Sequence, residues 1–292
     1  MNATSLPNLP ADELQRLETR FAARSVVLPG GEVVSVRECG AGNTGPVFVC
    51  LHGIGSGSAS WLEAALLLEG QGARVIAWDA PGYGASTPVP PAQPKAADYA
   101  QRLQGLVDAL DLERFVLVGH SLGAITAGHA AREASPLAAR IGKLVLISPA
   151  AGYGAAGKEE AQQRVRTQRL ATLKDEGIAA MAAKADQRLL SPNACELSRQ
   201  WVRWNMGRLN ESGYAQAVEL LCGADLLADL PPAVPVRVAC GALDVVTTPQ
   251  ACAEVAARCE VELELLAGAG HASYVEQPGT VATLLQREAA QA

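Results

Sequence analysis

FVLVGHSLGA, residues 115–124, decides how this chain folds. A β-branched apolar run, Phe115 to Val118, enters a G-x-S-x-G pentapeptide and leaves it through an Ala-rich segment reaching Ala134 that favours helix. The order is therefore strand, sharp turn, helix. A turn this tight holds its central residue in a strained conformation, and glycines two before and two after it let strand and helix backbones approach without a Cβ clash. Ser121 then projects at the carboxyl end of a parallel sheet, above a helix N-terminus whose dipole favours developing negative charge. Ser121 is the candidate nucleophile.

Outward from that turn, strand and helix patterns alternate. Residues 11–24 place Leu14, Leu17 and Phe21 three and four apart, which predicts an amphipathic helix ahead of the main fold. Val26 to Val36, broken by Pro-Gly-Gly, reads as a hairpin at an antiparallel sheet edge. Pro46 to Leu51 is a continuous apolar run suited to a strand buried on both faces, and it delivers His52-Gly53-Ile54-Gly55 at its carboxyl end. Helix 61–68, strand 73–78, helix 99–110, strand 114–119 and strand 143–147 follow. The rhythm breaks between Gly152 and Asp229, a charged, helix-favouring stretch without a convincing strand. Alternation then returns with strand 234–240, helix 250–258, strand 261–266 and a closing helix over 275–286. This predicts an α/β fold, a mostly parallel doubly wound sheet, whose core is made of residues 1–151 and 230–292, with 152–229 inserted as a helical lid over the strands' carboxyl ends.

With 292 residues, nearly half of them apolar, the chain can build a sizeable core. A net charge of −6 and the lack of a clustered Lys/Arg stripe speak against nucleic acid or an anionic membrane as partner. MNATSLPNLPADELQRLETR has no basic segment followed by an apolar one, and no run has the roughly 18 apolar residues of a membrane span, so a cytoplasmic protein is expected. The seven cysteines form no CxxC or Cys/His cluster and read as reduced. Neither a metal nor another cofactor is implied, and self-association is left open.

A serine hydroxyl needs a base within reach and an acid behind that base. Of four histidines, His52 and His120 adjoin glycines at strand ends and suit turn-shaping hydrogen bonds, while His129 lies two turns into the helix after Ser121. His271, in the Gly-rich loop after strand 261–266, is the candidate base. Asp244 directly follows a strand and precedes it, in the order Ser, acid, His; Asp225 and Asp229 lie at the end of the insertion, and Asp79 precedes Ser121. Backbone amides of Leu122 and Ile54 are the candidate oxyanion donors. On the lid, Trp201, Trp204 and Met206 are expected to supply apolar wall, and Arg203 or Arg208 to clamp a substrate carboxylate.

LHGIG, WDAPGYGAS, GHSLG, GALD and GAGHASYVEQP, in this order, make the chain resemble the α/β-hydrolase-fold serine hydrolases over essentially its whole length. That resemblance implies the same roles for Ser121, Asp244, His271, Ile54 and Leu122, and it excludes the dehalogenase and epoxide hydrolase branches, which carry Asp at the Ser121 position. Within the fold, residues 211–217, Ala224-Asp225-Leu226 and Glu276-Gln277-Pro278 are similar to the 3-oxoadipate enol-lactonases and neighbouring carboxylesterases. The chain departs from those lactonases at His120, where they carry Asn. Carbon–carbon hydrolases of aromatic ring-cleavage products are a second neighbour, but they carry Trp where this chain has Ala272. The expected activity is hydrolysis of a small carboxylic ester or lactone. Carbon–carbon cleavage, perhydrolysis and a ligand receptor on the same scaffold are the alternatives.

Overall fold

The computed structural model describes residues 8–292; the start of the chain, residues 1–7, read above as lacking a leader pattern, lies outside the described residues. In chain order the elements are α1 (Ala11–Arg20), β1 (Ala23–Val27), β2 (Val33–Cys39), β3 (Val47–Leu51), α2 (Leu62–Glu69), β4 (Arg74–Trp78), α3 (Ala96–Ala109), β5 (Phe115–His120), α4 (Leu122–Ala131) and β6 (Ile141–Ile147). Four helices follow: α5 (Glu159–Ala183), α6 (Asp186–Leu189), α7 (Glu196–Met206) and α8 (Glu211–Gly223). The chain closes with β7 (Val236–Gly241), α9 (Pro249–Arg258), β8 (Leu263–Leu266), α10 (Ser273–Glu276) and α11 (Pro278–Ala289).

All eight strands form one sheet in the order β1-β2-β4-β3-β5-β6-β7-β8. β1, β2 and β4 pair antiparallel, and every later pairing is parallel. The hairpin thus sits at the edge, as its Gly pair predicts. β5 and β6 are buried at every position, which is why residues 115–118 and 144–147 read as unbroken apolar runs rather than alternating ones; the polar side chains within these strands, His120 and Lys143, are buried with a partner. The expected closing helix is divided instead, because Pro278 opens α11 as its first residue and ends the short α10 before it.

Helix α1 buries Leu17, Phe21 just after it is buried too, and the helix is tied to α2 by Arg16–Glu63 and Arg20–Glu69 ion pairs. Glu13 on α1 also accepts a hydrogen bond from Trp201 Nε1 on α7, 3.3 Å away, so the N-terminal helix packs on the body and reaches the inserted helices. Helix α8 is seated on the loop after β4. A Cβ at Gly213 would lie 2.0 Å from the Gly82 carbonyl oxygen, so only glycine permits this approach. Asn210 donates to the carbonyls of Gly82 and Gly84, and Gln216 to those of Val89 and Pro91. α5 is interrupted at Gly177, whose φ of 74° and ψ of 169° no helix contains. Among the described residues no helix is long and apolar enough to cross a membrane.

α11 is held by charge at its far end. Glu288 is fully buried, with Lys143 Nζ of β6 at 2.9 Å and the guanidiniums of Arg237 and Arg287 each at 3.0 Å. Burial alone would raise the Glu288 carboxyl, but the hydrogen bonds from Lys143 and Arg287 outweigh it and hold it below its ordinary range. Removing one partner strands the buried Lys143 charge. Glu288→Ala is expected to cost about 3–5 kcal/mol in urea unfolding, whereas the double variant Lys143→Met, Glu288→Leu recovers most of that loss. Equal stability of Glu288→Ala and the natural chain would show that solvent relaxes into the site.

Candidate active site

Ser121 stands between β5 and α4 with φ 52° and ψ −115°, a left-handed conformation that costs a non-glycine residue on the order of 1–3 kcal/mol. The surrounding backbone enforces it. Its amide donates to the Ile147 carbonyl at the end of β6, and its carbonyl accepts from the Ala124 and Ala150 amides, all at 3.1 Å. The flanking glycines are sterically required: a Cβ at Gly119 would lie 2.8 Å from Ala124 Cα, and one at Gly123 would lie 2.5 Å from the Leu51 carbonyl oxygen. The G-x-S-x-G pattern is thus the local solution to packing a helix directly onto the end of its own strand.

Asp244 follows β7 and His271 follows β8, so neighbouring strands deliver both to the same edge of the site. His271 Nδ1–H donates to Asp244 Oδ2 at 2.8 Å, which turns Nε2 away from the carboxylate. The other oxygen, Oδ1, accepts from the Val246 amide at 2.7 Å and the Thr247 amide at 3.0 Å. Burial by itself would raise the Asp244 carboxyl. The hydrogen bond and charge of His271 and the Val246 amide prevail and hold it at about 2. The loop bearing His271 is braced in turn, since His120 Nε2–H donates to the His271 carbonyl at 3.0 Å. Burial pushes the His120 imidazole down to about 3, so it stays neutral over the whole working range.

The remaining histidines are occupied elsewhere. His52 accepts from the Ala80 amide through Nε2 at 3.0 Å and donates through Nδ1 to the Gly53 carbonyl at 2.8 Å, joining the carboxyl ends of β3 and β4. His129 pairs with Asp229 at 2.9 Å, tying α4 to the end of the insertion. Asp79 accepts from Ser35 Oγ and the Ser58 amide, and so holds the turns around it.

Ser121 and His271 line one cavity of about 560 Å³ at the carboxyl ends of the strands, roofed by residues of α5 to α8. Ile54 and Leu122, the candidate oxyanion residues, line it too. Tyr83 Oη donates to the Ile54 carbonyl at 2.8 Å, which fixes the loop at that residue. Among the described residues no acceptor is paired with the backbone amide of either Ile54 or Leu122.

The lid residues expected at the cavity divide. Met206 lines it, but Trp201 and Trp204 do not: they pack edge-to-face against each other, 5.6 Å between ring centres, between α7 and the body. A helix carrying large aromatic residues toward a core buries them there, and only the residues on its other flank reach the roof. Neither arginine lines the cavity. Arg203 is committed to Asp186, with Nε and one terminal nitrogen each 2.8 Å from a carboxylate oxygen, and Arg208 lies 3.7 Å over the Trp204 ring. The cations that do line the roof are Lys158, Arg169, Lys184 and Arg188. Arg169 donates to Tyr214 Oη at 3.2 Å, and the Arg188 guanidinium has no hydrogen-bond or ion-pair partner among the described residues. Sequence periodicity gave no signal for these four, because a roof-facing cation and a solvated one look alike on an isolated helix. The hydroxyl cluster of Ser56, Ser60 and Tyr274 on the cavity wall, with Tyr274 Oη 3.1 and 3.2 Å from the two serines, was equally silent in the sequence.

Known structures share this fold. A structure described as the enol-lactonase from Burkholderia xenovorans LB400 superposes with a TM-score of 0.78 at 23% identity, over 90% of this chain and 98% of that one. A hydrolase from Pseudomonas aeruginosa PA01 superposes with a TM-score of 0.76 at 26% identity, over 91% and 97%. In sequence, a 2-hydroxy-6-oxononadienedioate/2-hydroxy-6-oxononatrienedioate hydrolase of Cupriavidus pinatubonensis is 33% identical over 148 residues, 48% of each chain. A 2-hydroxy-6-oxo-6-phenylhexa-2,4-dienoate hydrolase of Comamonas testosteroni is 36% identical over 114 residues, 38% of each. The chain thus matches less than half the length of these curated relatives. Residues 48–284, which run from the first parallel strand through the elbow at Ser121 and the loop of His271 into α11, match the model of the alpha/beta hydrolase family, and the chain belongs to that family.

Proposed function

We propose that this chain hydrolyses a small carboxylic ester or lactone through an acyl-enzyme on Ser121. The observation that carries the reading is the buried His271–Asp244 pair at 2.8 Å, set on the same cavity as a serine held in a strained elbow. Asp244 keeps the proton of the neutral imidazole on Nδ1, so Nε2 is the free base. Ser121 Oγ attacks the acyl carbon while its proton passes to Nε2, and the carbonyl oxygen takes up negative charge toward the Leu122 and Ile54 amides. One such donor contributes on the order of 3 kcal/mol of barrier. Collapse of the tetrahedral adduct breaks the C–O bond, and His271 protonates the departing oxygen, which stays tethered if the substrate is a lactone. A water deprotonated by the same nitrogen then attacks the acyl carbon and releases Ser121.

The segment 152–229 acts in this reading as the lid, and the cavity volume falls within the range that encloses small organic ligands. Lys158, Arg169 and Arg188 on the roof suit a substrate bearing a carboxylate remote from the scissile bond, the function first assigned to Arg203 and Arg208. An acidic lactone or half-ester is therefore expected to exceed a neutral ester of equal size in kcat/KM.

A second reading is carbon–carbon cleavage of a ring-cleavage product, which is supported by the names of the curated relatives. The same nucleophile, base and amides serve either reaction. A panel of acidic lactones, neutral esters and a vinylogous diketone against one purified sample separates them. Ester or lactone turnover with the diketone's visible absorbance unchanged supports the first reading, and loss of that absorbance as the dominant activity overturns it.

A further inference from the structure

Thr247 has no counterpart in the chemistry derived so far, yet its side chain lies at the centre of the acid–base pair. Its Oγ1 is 3.1 Å from His271 Nδ1, 2.9 Å from Asp244 Oδ2 and 2.9 Å from the carbonyl oxygen of Ser148. A hydroxyl has one proton and two lone pairs, so it cannot donate to both oxygens at once. Whichever of the two oxygens takes that proton, both lone pairs remain for donors, and the donor within reach is His271 Nδ1–H. Asp244 accepts on Oδ1 from two backbone amides and on Oδ2 from the imidazole, with the Thr247 hydroxyl also within donating distance of Oδ2.

We infer that Thr247 is a positioning residue that accepts, together with Asp244, the Nδ1–H of His271 and anchors the imidazole to the strand next to the nucleophile. This rests on the proposed roles of Ser121, His271 and Asp244. The anchor is short in covalent terms. Ser148 directly follows β6, Ile147 accepts the Ser121 amide, and the Ala150 amide donates to the Ser121 carbonyl. Thr247 thereby closes a ring that runs from Ser121 through residues 147–150 to Thr247, His271 and the space before the serine. It limits how far the base can swing from the nucleophile, and a Val of the same shape retains the packing but not the hydrogen bonds.

The second acceptor also favours the charged imidazolium, because a lone pair facing Nδ1–H is attracted more strongly once the ring is positive. The other titratable groups facing this ring are identifiable. His120, 4.7 Å away between ring centres on β5, is neutral, as is Tyr274 on α10 behind it. Cys240 Sγ is 3.9 Å from Asp244 Oδ2, and its hydrogen bond with the neighbouring Cys252, together with burial, keeps Cys252 a thiol. Glu276 is engaged with the Gly270 amide and Ser191, while Glu254, Lys184 and Arg188 lie on the cavity wall or rim.

The test follows the rate of Ser121 phosphonylation by a fluorophosphonate as a function of pH, with a parallel NMR titration of His271 in unreacted protein. Thr247→Val is expected to slow labelling about tenfold, the usual consequence of losing one hydrogen bond to a group that becomes charged. The acid limb and the His271 titration are both expected to move to lower pH. Thr247→Ser, which restores the hydroxyl, should return both to the natural values. An unchanged limb, an upward shift, or a Ser variant no better than Val would overturn the inference. Failure of the natural protein to label at Ser121 would overturn the underlying reading instead, and the NMR titration still decides whether Thr247 faces the imidazolium.

Discussion

Ser121→Ala is expected to lower kcat/KM for the best ester or lactone by on the order of 10⁴–10⁶-fold, and His271→Ala by a similar factor. The two losses do not add, because either change removes the same event, transfer of the Oγ proton to Nε2 as the bond to carbon forms. What survives is the polarisation that the Leu122 and Ile54 amides exert on a bound carbonyl, and this is sufficient to keep the residual rate above that in water. Folding should be undisturbed. The elbow is held by backbone hydrogen bonds of residue 121 to Ile147, Ala124 and Ala150, all of which alanine retains, and by the tight packing at Gly119 and Gly123. A fluorophosphonate is expected to add its phosphonyl group to Ser121 of the natural chain and to leave the Ser121→Ala variant unmodified, as read by mass spectrometry. Turnover of the same substrate by Ser121→Ala within tenfold of the natural rate would remove the acyl-enzyme from consideration.

The sheet and the elbow were legible in the sequence for a common reason. β3, β5 and β6 are covered on both sides, so each carries a short apolar run, residues 47–51, 115–118 and 144–147, and the glycines at 119 and 123 are the only residues that fit against Ala124 Cα and the Leu51 carbonyl. Such constraints act within a few residues of one another and therefore leave a local signature. The roof did not. Whether Arg203 meets a substrate or Asp186 depends on where α6 lies across α7, and whether Trp204 faces the cavity or the body depends on the rotation of α7 about its axis. Both are tertiary facts. Thr247 is intermediate: it stands three residues after Asp244, close enough for its amide to reach the same carboxylate, but its approach to His271 and Ser148 arises only when three strand ends converge.

Asp244→Asn is expected to lower kcat by about 10⁴-fold while leaving the fold intact. The asparagine carbonyl can replace Oδ1 and keep the Val246 and Thr247 amides satisfied, so the loop retains its shape. The amide nitrogen then stands where Oδ2 was, 2.8 Å from His271 Nδ1. Two N–H groups cannot face each other at that distance. The imidazole escapes the clash by carrying its proton on Nε2, which leaves the nitrogen facing Ser121 without a lone pair and unable to act as base. Activity should be lost in kcat far more than in KM, since the cavity walls are unchanged. The same substitution tests the acid side of stability. The natural Asp244 carboxyl is depressed to about 2, so its ionised form contributes stability that is fully present above its ordinary value near 4 and is lost as pH falls from there toward 2. That contribution is on the order of 2 kcal/mol. Urea unfolding of the natural protein should therefore weaken across this window by more than that of Asp244→Asn, which has no proton to take up at residue 244. Parallel loss of stability in the two proteins between pH 4 and 2 would mean that His271 does not hold Asp244 in its charged form, and with it the physical basis for assigning the base to Nε2 would fall.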